Sequence, residues 1–259
     1  MNIVQRALRS QEGGATAETV ATALRSRNAA SISGVMSEHR ITAFSNTAAS
    51  QRFEVHDTTS QLSDTWRPGR VLGWLRPHRV RTFQLRPQRN EGEHAPLLGA
   101  PTGRAVDASF VPMTRSQEWG GRYSNVGQAV ANTETVRLAR GEIGVTGELT
   151  GCSLVRLANG SIGHLQPPQR AVDNTAKPLP GIRAERRLLA APGVQSAFGP
   201  IEYGRVRGSS HDRTNTIMIG GGATAPTTVV SQSLHRAGQL STSTESHQLR
   251  RITTQRAAL

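Results

Sequence analysis

Cys152 is the only cysteine in the chain, and His164 follows it across an Ala158-Asn159-Gly160 turn, within VTGELTGCSLVRLANGSIGHLQPP. A thiol acts as a nucleophile in its thiolate form, and a neighbouring imidazole shifts such a pair toward thiolate–imidazolium. The thiolate attacks an amide carbon, backbone N–H groups near the nucleophile stabilise the oxyanion, and the imidazolium protonates the departing nitrogen. Gly151 has no side chain and lets substrate approach the Cys152 amide closely, so Gly151 and Cys152 are the backbone candidates for the oxyanion role. The competing view of Cys152 is a small buried hydrophobe with no chemistry.

The elements that would position the pair decide between these. Ser153–Leu157 and Ser161–Leu165 flank the turn and predict a β-hairpin. Two registers are open. A two-residue Asn-Gly loop sets Val155 opposite His164 and turns Cys152 to the other sheet face. A three-residue loop puts Gly160 in the left-handed conformation and Leu154 opposite His164, which makes Cys152 and His164 diagonal neighbours on one face. Diagonal Cβ atoms lie roughly 7–8 Å apart or somewhat less, a gap that thiol and imidazole can close.

The wording around the cysteine adds to this pattern. LTGC resembles the Leu-x-Gly-Cys motif of the bacterial toxin glutamine deamidases typified by cytotoxic necrotizing factor and Burkholderia lethal factor. The family's nucleophile falls on Cys152 and its histidine on His164; the threonine found before the cysteine in the lethal-factor branch falls on Thr146. GCSLVRL and GSIGHLQP also look like the chemotaxis receptor deamidases, from which the chain departs in Thr150-Gly151 and in a shorter cysteine-to-histidine interval. The resemblance is confined to this short stretch. It implies a central β-sandwich of mixed sheets with outer helices, in the α+β class. It also implies hydrolysis of a glutamine side-chain amide on a host protein, such as a Rho-type GTPase or a translation factor, with Thr146 orienting His164. No metal or cofactor is implied, a monomer is expected, and transglutamination would use the same residues. A cysteine protease with the same pair, or a basic binding protein with a structural cysteine, are the alternatives.

No other motif competes. GGGATA at Gly220–Ala225 has dinucleotide-fingerprint spacing, but Pro226 and β-branched residues follow where a helix is required, so a glycine turn between strands is expected. The eight histidines show no helical His-x-x-x-His pair for a metal. His211-Asp212 sits in a Ser-rich loop and suits a turn.

Composition bounds the rest. Hydrophobic residues make up 36% of the chain and aromatics 4%, enough for one compact domain with polar flanks. A lone cysteine cannot form an internal disulfide. MNIVQRALRSQEGG lacks the apolar core of a classical signal peptide and no run reaches transmembrane length, so the expectation is a soluble protein exported by another route to act in a host cytoplasm. The net charge of +13 invites nucleic acid, but a single lysine, Lys177, stands among thirty arginines, and nucleic acid is the lesser expectation.

Residues 1–50 are expected to be a flexible leader with one short helix, Thr16–Arg27, presenting Val20, Ala21 and Leu24; residues 51–259 form the catalytic domain. Strands are predicted at Arg79–Leu85, Thr135–Ala139, Gly144–Leu149, Ser153–Leu157, Ser161–Leu165, Ile201–Val206, Thr216–Ile219 and Thr227–Ser231. Short helices are predicted at Arg183–Leu189 and within the polar Gln232–Arg256. Trp66–Arg89 holds seven arginines, no acid and interleaved Trp66, Trp74 and Phe83. It reads first as a half-buried strand pair, and second as a docking face on which Arg76, Arg79 and Arg81 would meet a protein substrate.

Overall fold

The computed structural model describes residues 16–45, 50–58, 81–88, 102–114, 126–149, 151–166, 181–203, 213–236 and 249–259. They form two mixed sheets with few helices, an α+β fold. The larger sheet contains β1 (Arg40–Ala43), β2 (Ser50–Asp57), β3 (Thr82–Pro87), β4 (Ala105–Val111), β7 (Ile143–Thr146), β11 (Arg213–Ile219), β12 (Thr228–Arg236) and β13 (Leu249–Ala258). Its order is β1-β3-β2-β4-β7-β11-β12-β13, with β1–β3 and β4–β7 parallel and the other pairs antiparallel. The smaller sheet runs β10 (Val194–Phe198), β8 (Ser153–Leu157), β9 (Ile162–Leu165) and β5 (Met113–Thr114), with β6 (Thr135–Val136) also paired to β9.

Side-chain alternation sorts each strand into two faces and so builds layers. Leu154, Ile162 and Phe198 of the smaller sheet pack with Val111, Met218 and Val229 of the larger one, which makes the sandwich core. On the far face of the larger sheet, Phe53, Phe83, Val106, Ile143 and Val145 pack under two helices, α1 (16–25) and α2 (Ala29–Glu38). Val155, Leu165 and Ala197 turn outward from the smaller sheet against the region of α3 (Val126–Ala131) and α4 (Gly181–Leu189). The layers are therefore helix, sheet, sheet, helix.

Residues 16–45 are not a flexible leader. The predicted helix is present as α1, but Val20, Ala21 and Leu24 on its face are fully buried, the chain continues through α2 into β1, and Ile32 and Met36 are buried too. Asn28 caps α2, its Oδ1 accepting from the N–H groups of Ala30 (2.8 Å) and Ser31 (3.3 Å). At the other end, the buried Gln232 of β12 donates from Nε2 to the carbonyls of Met36 and His39 and accepts the Ile41 N–H. Those carbonyls have no partner within the helix, so one amide from the far end of the chain binds the segment to the sheet.

Other expectations resolve individually. The predicted strands at β8 and β9 and the short helix at α4 are present, and β11 and β12 extend beyond their predicted ends. Ile201–Tyr203 forms a turn, not a strand, and the described parts of the polar C-terminal segment are strand, in β12 and β13, in place of the expected helix. Of the arginine-rich segment only its last part is described: β3 buries Phe83 and Leu85 and exposes Arg86, as a half-buried strand should. Trp66, Trp74, Arg76 and Arg79 lie outside the described residues. Among the described residues no helix is long and apolar enough to cross a membrane.

Candidate active site

The hairpin adopts the three-residue loop. Leu154 pairs with His164 and Arg156 with Ile162, while Leu157 N–H donates to Ser161 C=O and Gly160 N–H to Leu157 C=O, both at 2.8 Å. Gly160 has φ +81°, a left-handed value that costs glycine little, and Asn159 Oδ1 accepts the Ser161 N–H at 2.9 Å. Cys152, two residues before Leu154, therefore shares the inward face of His164.

The Leu-x-Gly-Cys stretch is the crossing from one sheet to the other. Leu149 bridges to Thr214 of β11 in the larger sheet, with bonds of 2.8 and 3.0 Å, and Ser153 opens β8 of the smaller one. Thr150 lies outside the described residues. Gly151 makes the corner at φ +103°, where any side chain would be strained. Its N–H donates to the Tyr203 hydroxyl at 3.0 Å, and that hydroxyl donates to the Cys152 carbonyl at 3.0 Å. The Gly151 N–H, one of the two groups expected for the backbone oxyanion role, is therefore engaged by Tyr203.

Thr146 comes from the other sheet. In β7, Ile143 and Val145 face the helices, so Gly144 and Thr146 face the sandwich interior. Thr146 Oγ1 donates to the Val111 carbonyl at 2.7 Å and lies 2.7 Å from His164 Nδ1. A hydroxyl has one proton, and it is spent on the carbonyl, so Thr146 must accept from Nδ1–H. The imidazole is thereby held as the Nδ1–H tautomer, with its Nε2 lone pair directed elsewhere.

Nε2 is buried and takes no hydrogen bond from the thiol or from any other described group. His164 is fully buried, and Cys152 and Thr146 are only 2% and 3% exposed. Burial pushes the His164 pKa down from 6.5 to about 3. The imidazole is accordingly neutral near pH 7, which corrects the expectation of a preformed thiolate–imidazolium pair. The two side chains share a face with no hydrogen bond between them.

The remaining candidates separate from this cluster. Arg81 is tied into the fold: its guanidinium donates to Thr16 Oγ1 at 2.8 Å and its carbonyl accepts the Arg40 N–H, which ties α1 and β1 to the start of β3. In the sheet order β2 and β4 separate β3 from β7. Gly220–Ala225 is the turn between β11 and β12, and the buried Arg156 donates to its Gly222, Ala223 and Ala225 carbonyls. Among the described residues no group of three or more His, Cys, Asp or Glu side chains could hold a metal ion.

Two features have no counterpart in the sequence reasoning. One is the Tyr203 hydroxyl. The other is a carboxyl pair behind the corner: Glu185 of α4 accepts the Ile201 N–H at 2.7 Å, and Glu202 accepts the Gly199 N–H at 2.8 Å. Burial, then a hydrogen bond with Glu202, raises the Glu185 carboxyl to about 8. PIEYG carries no pattern that would single out its tyrosine, since only the folded turn brings it to Cys152.

No protein-family model and no curated protein sequence matches the chain.

Proposed function

We propose that the chain is a protein-glutamine deamidase that uses Cys152 as nucleophile and His164 as general base and acid. The observation that carries this is the Thr146–His164 hydrogen bond, which fixes the tautomer a thiol-activating histidine needs on the face it shares with Cys152. A merely structural histidine has no use for an unclaimed buried Nε2, which is a costly group to leave unpaired.

Because the imidazole rests neutral, the thiol proton passes to Nε2 as sulfur attacks the glutamine amide carbon. The C=O π pair moves onto oxygen, and the Cys152 N–H is the backbone donor for that charge. Collapse of the tetrahedral intermediate breaks the C–N bond, and Nε2–H protonates the departing nitrogen as ammonia. Water, deprotonated by His164, then cleaves the thioester to give glutamate and regenerate the thiol. The new side chain is an acceptor-only anion where the amide was both donor and acceptor, which is sufficient to disable a functional glutamine. The Leu-x-Gly-Cys resemblance supports a host protein as substrate, a Rho-type GTPase or a translation factor, and a secreted effector as the setting.

Incubation of such proteins with the chain, followed by intact mass spectrometry, tests the proposal. Deamidation adds about one dalton by exchanging NH₂ for OH, without chain cleavage. Cys152→Ser should abolish the change. Cleavage products would identify a protease, amine adducts a transglutaminase, and full activity in the serine variant would overturn the mechanism.

A further inference from the structure

We infer that Tyr203 is a positioning residue for the nucleophile, a role that rests on the deamidase proposal. Its hydroxyl accepts from Gly151 N–H and donates to Cys152 C=O, each at 3.0 Å. These two groups bracket the peptide that carries the Cys152 N–H. One oxygen bound to both ends fixes the torsions between them, so that peptide cannot flip and the direction of its N–H relative to the cysteine side chain is set. Gly151, at φ +103°, is the residue that lets the chain curl tightly enough for a single hydroxyl to span both groups.

The phenol is itself held from several sides. It is 7% exposed, and its ring packs against Phe198 with centroids 5.9 Å apart and planes at 52°. Tyr203 N–H donates to Gly199 C=O at 3.0 Å, and the Glu202 and Glu185 carboxyl groups bind the Gly199 and Ile201 N–H groups of the same turn. A buried tyrosine hydroxyl needs a hydrogen-bond partner, and any buried carbonyl would serve. Here both partners flank the nucleophile, and the turn that presents the ring is latched to α4. The arrangement makes the corner rigid where a reacting atom has to be placed to within a fraction of an ångström.

Tyr203→Phe retains the ring and removes both bonds. In the full chain, turnover of a deamidated protein should fall by about 10- to 100-fold with KM nearly unchanged, as for loss of a positioning contact. A second readout needs no substrate: the rate of Cys152 alkylation by iodoacetamide, followed by mass spectrometry. A displaced thiol reaches Nε2 less often, so alkylation should slow by at least about 5-fold. A tyrosine that only fills space gives the opposite sign, because loosened packing exposes the thiol and speeds alkylation. Faster or unchanged alkylation therefore overturns the inference. If wild-type protein hydrolyses no glutamine, the deamidase proposal fails, while the alkylation comparison still decides whether Tyr203 controls the thiol. If Tyr203→Phe does not fold, difluorotyrosine at 203, a weaker acceptor of the same shape, should slow alkylation; no change there would also overturn it.

Discussion

The Thr146 hydroxyl lies 2.7 Å from His164 Nδ1, although the two residues belong to different sheets. The contact runs through the sandwich interior, so its geometry depends on how the sheets pack. Thr146→Val keeps the shape and leaves Nδ1–H buried without a partner, which costs about 1–3 kcal/mol. Turnover should fall by about 100-fold or more as the ring loses its tautomer, in the manner of other oriented imidazoles. Thr146→Ser, which keeps the hydroxyl, should stay within about 10-fold of wild type. Steady-state kinetics on the two variants makes the comparison; equal activity would remove Thr146 from the mechanism.

His164 should remain neutral across the physiological range. Its folded pKa is lowered from 6.5 to about 3 by burial, so the folded state binds fewer protons than the unfolded chain between those values. The stability it confers is fully present above pH 6.5 and is lost as pH falls toward 3. Nitrogen-15 NMR of the ring should show the Nδ1–H tautomer and no titration between about pH 5 and 8. His164→Gln should flatten the acid side of the thermal-stability profile. A ring found protonated at pH 7 would restore the preformed ion pair.

The hairpin was legible because turn chemistry is local: Asn159 and Gly160 suit a β-turn whatever surrounds them. Its register was open until Gly160 was found left-handed with Leu154 opposite His164. The apolar face of α1 was also local and legible. Its burial was not, because the groups that hold the segment, Gln232 and the larger sheet, are distant in sequence. The same distance hid the second half of β12, beyond the predicted Thr227–Ser231. Gln232 and Ser233 are buried there, and polar residues on inward faces disguise a strand as solvated chain. Gln232 and Ser233 meet their needs through Asn215 and Thr214, across β11. Tyr203 was invisible for a further reason: its role is a pair of backbone contacts, which no residue type announces.

Glu185 should make the fold sensitive to mild alkali. Its carboxyl is raised from 4.5 to about 8, first by burial and then by the hydrogen bond with Glu202, so the folded state binds more protons between those values. The corresponding stability is fully present below pH 4.5 and is lost as pH rises toward 8. Thermal melts should therefore fall across that window, and Glu185→Gln, neutral at every pH, should flatten the decline. A wild-type profile rising steadily from pH 5 to 8 would show that the pair does not share a proton.

Removal of residues 1–45 should unfold the protein rather than yield a trimmed active domain. Val20, Leu24, Ile32 and Met36 are each fully buried in the core that covers the larger sheet. Side chains of this size contribute about 1.5–3 kcal/mol apiece, on the order of 10 kcal/mol together. That is comparable with the entire stability of an ordinary domain. The deletion would also strip β1 from β3, leave the Gln232 amide without Met36, His39 and Ile41, and uncover Phe53 and Phe83. Circular dichroism and size-exclusion chromatography of the truncated chain should report loss of the cooperative melt and association through the exposed sheet face. A monomer melting within a few degrees of the full-length chain would show that the two helices only rest on the sheet, and that the sandwich stands without them.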